Sequence, residues 1–353
     1  MDAAHGHRPG ANTVHPMSAA PELRLATRRN GHRDGELMLV SPHATRWMAA
    51  GADVPTLQTL LDGWDRLAPA LEQRCHALQG DGWAGIQAFD AAQCMAPLPR
   101  AYQWADASVY RNHARLMYQW RKEPIPPGYE TVPLVCQGGS DVLLGPHDPI
   151  AATDEAHQID LEAEIGVITT DVPMGCTAQQ ASNCIALVVL LNDVSLRGLI
   201  PGELARGFGF YQSKPASSFA PIAVTPAALG SHWTGAMLDL PVSVQVNGHR
   251  LGEPHANTEV IFDFGQIIAH LARTRALCAG SIVGAGTISN ASAAAGSACI
   301  TEARVRQILD GVPEDQLRPY LRDGDTVRME VRDTRGRTVF GAIDQAVRID
   351  TPG

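Results

Sequence analysis

Three carboxylates on two hydrophobic runs are the first residues of this chain that could do chemistry. In Ile159-Asp160-Leu161-Glu162-Ala163-Glu164-Ile165-Gly166-Val167-Ile168, acids alternate with apolar residues. On a strand, residues i and i+2 share a face, which sets Glu162 and Glu164 side by side roughly 7 Å apart and turns Leu161, Ala163, Ile165 and Val167 to the core. Neighbouring acids repel unless water or a cation screens them, so a solvated strand face and a cation site account equally well for this segment alone. Leu190-Leu191-Asn192-Asp193-Val194-Ser195 ends a second apolar run in an acid, where a lone Asp ordinarily forms a turn. A third carboxylate beside a Glu-x-Glu pair tips the balance. Such an all-oxygen set suits Mg²⁺, Mn²⁺ or Ca²⁺, whereas zinc wants His or Cys, and neither clusters here.

The elements that must position these acids read as short strands over 159–169, 185–194, 242–246, 281–289 and 326–331, with helical pieces over 177–184 and 263–273. Broken by glycines and an Asn247-Gly248 turn, they predict a β-rich α+β fold with an antiparallel or mixed sheet instead of a regular βαβ series. A polar helix is expected from Asp106 to Lys122, followed by a loop rich in Pro124, Pro126, Pro127 and Pro133 and then Gly138 and Gly139. Pro97-Leu98-Pro99 reads as a linker closing a small N-terminal domain, 21–95, ahead of a catalytic domain, 96–350. The small domain opens with a hairpin over 22–40. Leu57, Leu60, Leu61, Trp64, Leu67 and Leu71 then follow as a core-packing helical stripe kinked at Pro69. Residues 1–20 read as a flexible polar tail in which His5 and His7 are not ligands, and Met17 is an alternative start.

Bulk properties bound the function. The chain has 353 residues, 45% hydrophobic and 18% charged, an ordinary globular mixture able to bury a core. Its net charge of -9 and lack of a basic stripe argue against a nucleic-acid partner. The longest apolar run, Ile185 to Leu191, is far short of the ~20 residues of a membrane span. Seven cysteines, without CxxC spacing, suit idle thiols in a reducing cytoplasm better than a disulfide framework or zinc ribbon.

Asp160-Leu161-Glu162-Ala163-Glu164, then Asn192-Asp193-Val194-Ser195-Leu196-Arg197, resemble the metal-binding motifs of the fumarylacetoacetate hydrolase family. Gln212-Ser213-Lys214-Pro215 and Gly284-Ala285-Gly286-Thr287-Ile288-Ser289 extend the match in the right order, over residues 100–345. The leading domain is similar to that of longer members. The resemblance implies a mixed β-sandwich roll, ordinarily homodimeric, with Glu162, Glu164 and Asp193 as core ligands of a divalent cation, Mg²⁺ first. It also implies Asp106 as a fourth ligand, and His113, seven residues on, as general base towards water. A glutamate assists that base, and Glu302 stands near its position, with Glu123 as competitor. Lys214 would hold a substrate carboxylate or oxyanion, Thr287 the carboxylate end of the substrate, and Arg121 a further anionic group.

A 2-oxo acid or 1,3-diketone chelates a hard cation through two oxygens, and the cation stabilises the enolate left when a C–C bond breaks. An imidazole with an ordinary pKa near ~6.5 suits proton abstraction at neutral pH. Cys136-Gln137-Gly138-Gly139 stands where true fumarylacetoacetases place a tyrosine, and Gly198-Leu199-Ile200-Pro201 lacks their glutamine, which weighs against fumarylacetoacetate itself. The expected activity is hydrolysis of a C–C bond in an acylpyruvate-like or β-diketone 2-oxo acid. Hydration, decarboxylation or isomerisation on the same metal is the alternative, and a non-catalytic metal-stabilised binding protein is a third possibility disfavoured by His113 and Lys214. Gly280, Gly284 and Gly286 lack the spacing of a dinucleotide fingerprint.

Overall fold

The computed structural model describes residues 21–78 and 85–350; the tail 1–20 lies outside them. An eleven-stranded mixed sheet faces a five-stranded one built from Ile150–Ala152, Val242–Val246, His249–Gly252, Thr326–Arg332 and Thr338–Ile349. The leading hairpin forms as expected, Arg24–Arg28 pairing with Glu36–Val40. Its first strand then pairs with Ala223–Val224, so the leading segment extends the large sheet instead of forming one of its own. Pro97, Leu98 and Pro99 are correspondingly buried, and Thr27 Oγ1 donates to the Pro97 carbonyl at 2.6 Å.

The elements that carry the site are, in chain order, β1 (Gln103–Ala107), α1 (Arg111–Arg121), β2 (Val135–Gln137), β3 (Ile159–Asp160), β4 (Ala163–Thr169), β5 (Ile185–Asn192), β6 (Ser195–Leu196), β7 (Ser281–Gly284) and α2 (Ile300–Leu309). Strands β4 and β5 pair antiparallel at the centre of the large sheet and are buried along their whole length. One face, with Ile165, Val167, Val188 and Leu190, packs on Val244, Met329 and Ile343 of the small sheet. The other, with Ile168, Leu187, Val189 and Leu191, packs on Leu57, Leu60 and Leu71 of the leading helices. Coverage on both faces explains a continuous apolar run instead of alternation, and each fully buried Leu or Ile contributes roughly 1.5–3 kcal/mol.

Several expected boundaries move. The helical stripe is two helices, Leu57–Asp62 and Trp64–Ala77, broken at Gly63 and continuous through Pro69. A Cβ on Gly63 would lie 2.8 Å from Leu67 Cδ1, so the chain turns where a side chain is missing. The helix expected from Asp106 begins at Arg111, because residues 103–107 are taken into the sheet beside β7. The strand expected over 159–169 breaks at 161–162 into β3 and β4, and that expected over 281–289 ends at Gly284.

Candidate metal and catalytic centre

Gly284 sits at the crossing that makes the centre. It pairs with Asp106 on the parallel strand β1 and with Gly166 on the antiparallel strand β4. A Cβ there would lie 2.5 Å from Trp104 Cη2, 2.6 Å from Asp106 Oδ1 and 2.9 Å from Glu164 Oε2. Only a residue without a side chain lets carboxylates from the flanking strands share this space. Gly284→Ala is therefore expected to push the two acids apart, costing about 1–3 kcal/mol of stability as overpacking does. Mn²⁺ titration should show binding weakened at least tenfold; unchanged affinity would mean the crossing does not shape the centre.

Asp106, Glu164 and Asp193 are buried, and one oxygen from each lies within 4.8 Å of the others. Asp106 Oδ1 and both Glu164 oxygens have no hydrogen-bond partner. Burial first and the Asp193 charge second push the Asp106 carboxyl up to about 8, and burial with the Asp106 charge pushes Glu164 well above the usual carboxylate range. Buried, unpaired, mutually repelling oxygens are costly unless protons or a cation neutralise them. An all-oxygen set with open lone pairs fits a hard divalent cation.

The sign of the pH dependence follows. An acid whose folded pKa is raised favours the fold at low pH and opposes it as pH rises through about 8. A cation must displace those protons, so its stabilising effect should grow from pH 6 to pH 8. Melting curves with and without Mn²⁺ at both pH values test this; an equal shift at each would contradict it.

The third acid, Asp193, is held from outside the trio: Oδ1 accepts from Ser217 Oγ at 2.7 Å and Oδ2 pairs with Lys214 Nζ at 2.5 Å. Glu162, expected beside Glu164, is not among the three acids whose oxygens lie within 4.8 Å of one another. It lies in the break between β3 and β4, and its amide donates to Asn192 Oδ1 at 3.0 Å. Its carboxylate pairs with Lys214 at 3.1 Å, accepts from Ser195 Oγ at 3.1 Å and contacts the Arg197 guanidinium. Burial would raise this carboxyl, but Arg197 and Lys214 outweigh burial and hold it far below its ordinary value. Glu162 could join a cation only by loosening those partners.

His113 lies in the first turn of α1, anchored by buried Asn112, whose Nδ2 donates to Ser289 Oγ at 2.8 Å and the Asn290 carbonyl at 3.0 Å. His113 Nδ1 faces Glu302 Oε2 at 3.2 Å, across 189 residues of sequence. Burial would raise Glu302, but the hydrogen bond and charge of His113 outweigh it and leave the carboxyl below its ordinary value. Glu123, the competitor, is exposed beyond the end of α1. Glu302 is therefore an ionised acceptor at neutral pH, which favours the tautomer with the proton on Nδ1 and the lone pair on Nε2.

Thr287 is buried on a segment running beside β4, where Ala285 N and Ile288 N donate to the Ile165 and Ala163 carbonyls, both at 3.2 Å. Arg121 is at the exposed end of α1, stacked 5.9 Å above Tyr118 and about 12 Å along the helix from His113 at ~1.5 Å per residue. Cys136 on β2 pairs opposite Asp106, and burial with the Asp106 charge pushes its thiol up. All seven cysteines are free. The sequence reading gave no role to Arg197, although it stands in the Asn192–Arg197 motif, nor to Asp160, Ser217 or the missing side chain at Gly284.

A mixed two-sheet fold with a buried carboxylate trio and a His–Glu pair defines a class of metal-binding centre, and comparison with known proteins narrows it. The profile for the fumarylacetoacetate (FAA) hydrolase C-terminal domain matches residues 103–348, and that for fumarylacetoacetase N-terminal domain 2 matches residues 23–100. The chain belongs to the fumarylacetoacetate hydrolase family. It is 28% identical over 167 residues to a 2,4-didehydro-3-deoxy-L-rhamnonate hydrolase of Sphingomonas sp. (strain SKA58), covering 46% of this chain and 54%, about half, of that protein. Its fold is similar to maleylpyruvate hydrolase of Sphingobium sp. SYK-6 in complex with manganese (II) ion and pyruvate (TM-score 0.61, 16% identity, 92% of this chain and 99% of that one). The 2-hydroxyhepta-2,4-diene-1,7-dioate isomerase of Mycobacterium marinum is also similar (TM-score 0.56, 16% identity, 93% and 99%). No helix among the described residues is long and apolar enough to cross a membrane.

Proposed function

We propose that this protein is a divalent-cation-dependent hydrolase that cleaves a C–C bond in an acylpyruvate-like or β-diketone 2-oxo acid. The observation that carries the reading is the His113–Glu302 pair, at 3.2 Å, in a fold that also buries the Asp106, Glu164 and Asp193 carboxylates together. A purely structural ion needs no such base. Asp106, Glu164 and Asp193 would hold the cation, with Glu162 beside them. When bound, it supplies Lewis-acid polarisation of the oxo group and favours the enolate over its ketone.

His113 Nε2 takes a proton from water, while Glu302 holds Nδ1 and stabilises the imidazolium formed. The water oxygen adds to the distal carbonyl carbon and the C–C bond breaks. Its electron pair passes to the carbon of the 2-oxo acid fragment, which then takes up a proton. Lys214, which pairs with Asp193 and Glu162, and Thr287 would meet the anionic end of the substrate.

Acylpyruvates with Mg²⁺ or Mn²⁺, set against a chelated control, test the reading. Turnover undiminished by chelation and dialysis would sink the metal mechanism. A 2-hydroxydienoic acid turned over by hydration, decarboxylation or isomerisation in preference to every acylpyruvate would favour the alternative reaction on the same centre.

A further inference from the structure

The buried acid that precedes the carboxylate cluster, Asp160, plays no part in the chemistry just described. It is fully buried on β3, and each of its oxygens is engaged. Oδ1 accepts from Ile300 N at 2.7 Å, and Oδ2 accepts from Thr301 N at 3.0 Å and Arg197 Nε at 2.9 Å. Ile300 and Thr301 open α2, so two of the orphan amides of that helix are capped from a distant strand. The third, Glu302 N, is met at 3.3 Å by the Sγ of Cys299, a weak acceptor in the capping position. Amides at a helix start attract an anion, and a carboxylate there fixes the helix along its axis as well as satisfying donors.

The next residue on that helix is Glu302, the partner of His113. Through Arg197, which spans Asp160 and Glu162, the same carboxylate is tied to the metal-binding side. Pairing of Asp160 with Ser195 on β6 fixes its own height in the sheet. One side chain thus stands between the helix that orients the base and the cluster that would hold the cation.

We propose that Asp160 is a positioning residue: by capping α2 it sets Glu302, and through Glu302 the Nδ1 proton and orientation of His113. The role rests on the proposed reaction for its kinetic consequence but not for its physical one. Asp160→Asn keeps the shape and removes the charge that holds three donors at once. Kinetically, it should lower kcat about tenfold to a hundredfold, with KM and Mn²⁺ affinity within threefold of wild type. Placed in a Glu302→Gln background it should lower kcat less than threefold further, because the residue it acts through is already lost. Full multiplication of the two effects, or loss of Mn²⁺ binding in proportion to kcat, would overturn the proposal.

A second readout needs no substrate. The Nδ1 proton of His113, observed by nitrogen-edited NMR of histidine-labelled protein and assigned by its loss in His113→Gln, should move in Asp160→Asn as it does in Glu302→Gln. If Asp160→Asn fails to fold, Ile300→Pro serves: it deletes one capped amide at a helix position where proline is tolerated, and the residue before it is already extended. An unmoved Nδ1 signal in whichever variant folds would overturn the proposal. Should no acylpyruvate be turned over by the wild type, the proposed reaction fails while the NMR result still decides the role of Asp160.

Discussion

Replacing His113 by alanine should lower kcat for the best acylpyruvate by about 10²–10⁴, the range general-base catalysis contributes. Affinity for Mn²⁺ should stay within a few-fold. The separation is expected because His113 is bonded to Glu302 at 3.2 Å and not to any of the three clustered acids. Glu302→Gln should follow in the same direction with a smaller loss, since an amide still accepts from Nδ1 but no longer stabilises the imidazolium. Steady-state kinetics at saturating Mn²⁺, with calorimetric titration of the metal, gives both numbers. Turnover that survives His113→Ala would remove the histidine from the mechanism and favour an isomerase or decarboxylase, which needs no activated water.

The second large effect is expected at Glu164, and its two parts have opposite signs. Glu164→Gln should weaken cation binding by roughly 10² or more, since even an outer partner of a ligand is worth 10–100-fold. Activity at ordinary Mn²⁺ concentrations should be lost with it. In the absence of metal, the same substitution should stabilise the fold. Glu164 is buried with neither oxygen hydrogen-bonded, and its carboxyl sits well above the ordinary range, so at neutral pH the folded chain must take up a proton that the unfolded chain would not hold. A neutral amide binds no proton in either state and removes that cost, about 1.4 kcal/mol for each pH unit by which the carboxyl is raised. Melting in the presence of chelator should therefore rise, and the rise should be larger at pH 8 than at pH 6. A variant that melts lower without metal at every pH would show that Glu164 is paired in a way the geometry does not show.

These two predictions differ in how far the sequence alone reaches them. The strand pair β4 and β5 is legible because seven consecutive apolar residues, Ile185 to Leu191, can be stable only when covered on both faces. The alternation Leu161 to Ile165 fixes which residues near Glu164 face the core, and the order of the motifs identifies the family, later matched over 103–348. Asp106 and His113 are singled out only through the family resemblance, whose seven-residue spacing they reproduce. The helix expected from Asp106 forms only from Arg111, since competition between a polar helix pattern and a parallel edge beside β7 is settled by the sheet over residues 103–107.

What only the tertiary structure decided is which acids meet. A periodicity of two sets Glu162 and Glu164 side by side, but the chain breaks after β3, and Glu162 is drawn off by Lys214 and Arg197 while Asp106 completes the trio. Local patterns carry the direction of a side chain relative to its own element. They do not carry the distance between Asp106 and Glu164, which depends on an absent Cβ at Gly284 more than a hundred residues from either. Nor do they carry the choice between Glu302 and Glu123 for His113. That choice is made by α2, whose start is fixed by Asp160 on a strand 140 residues away. The sequence by itself determined the residue types, the strands that bear them and the family; the meeting of the three carboxylates and the His113–Glu302 pair exist only once both sheets have closed.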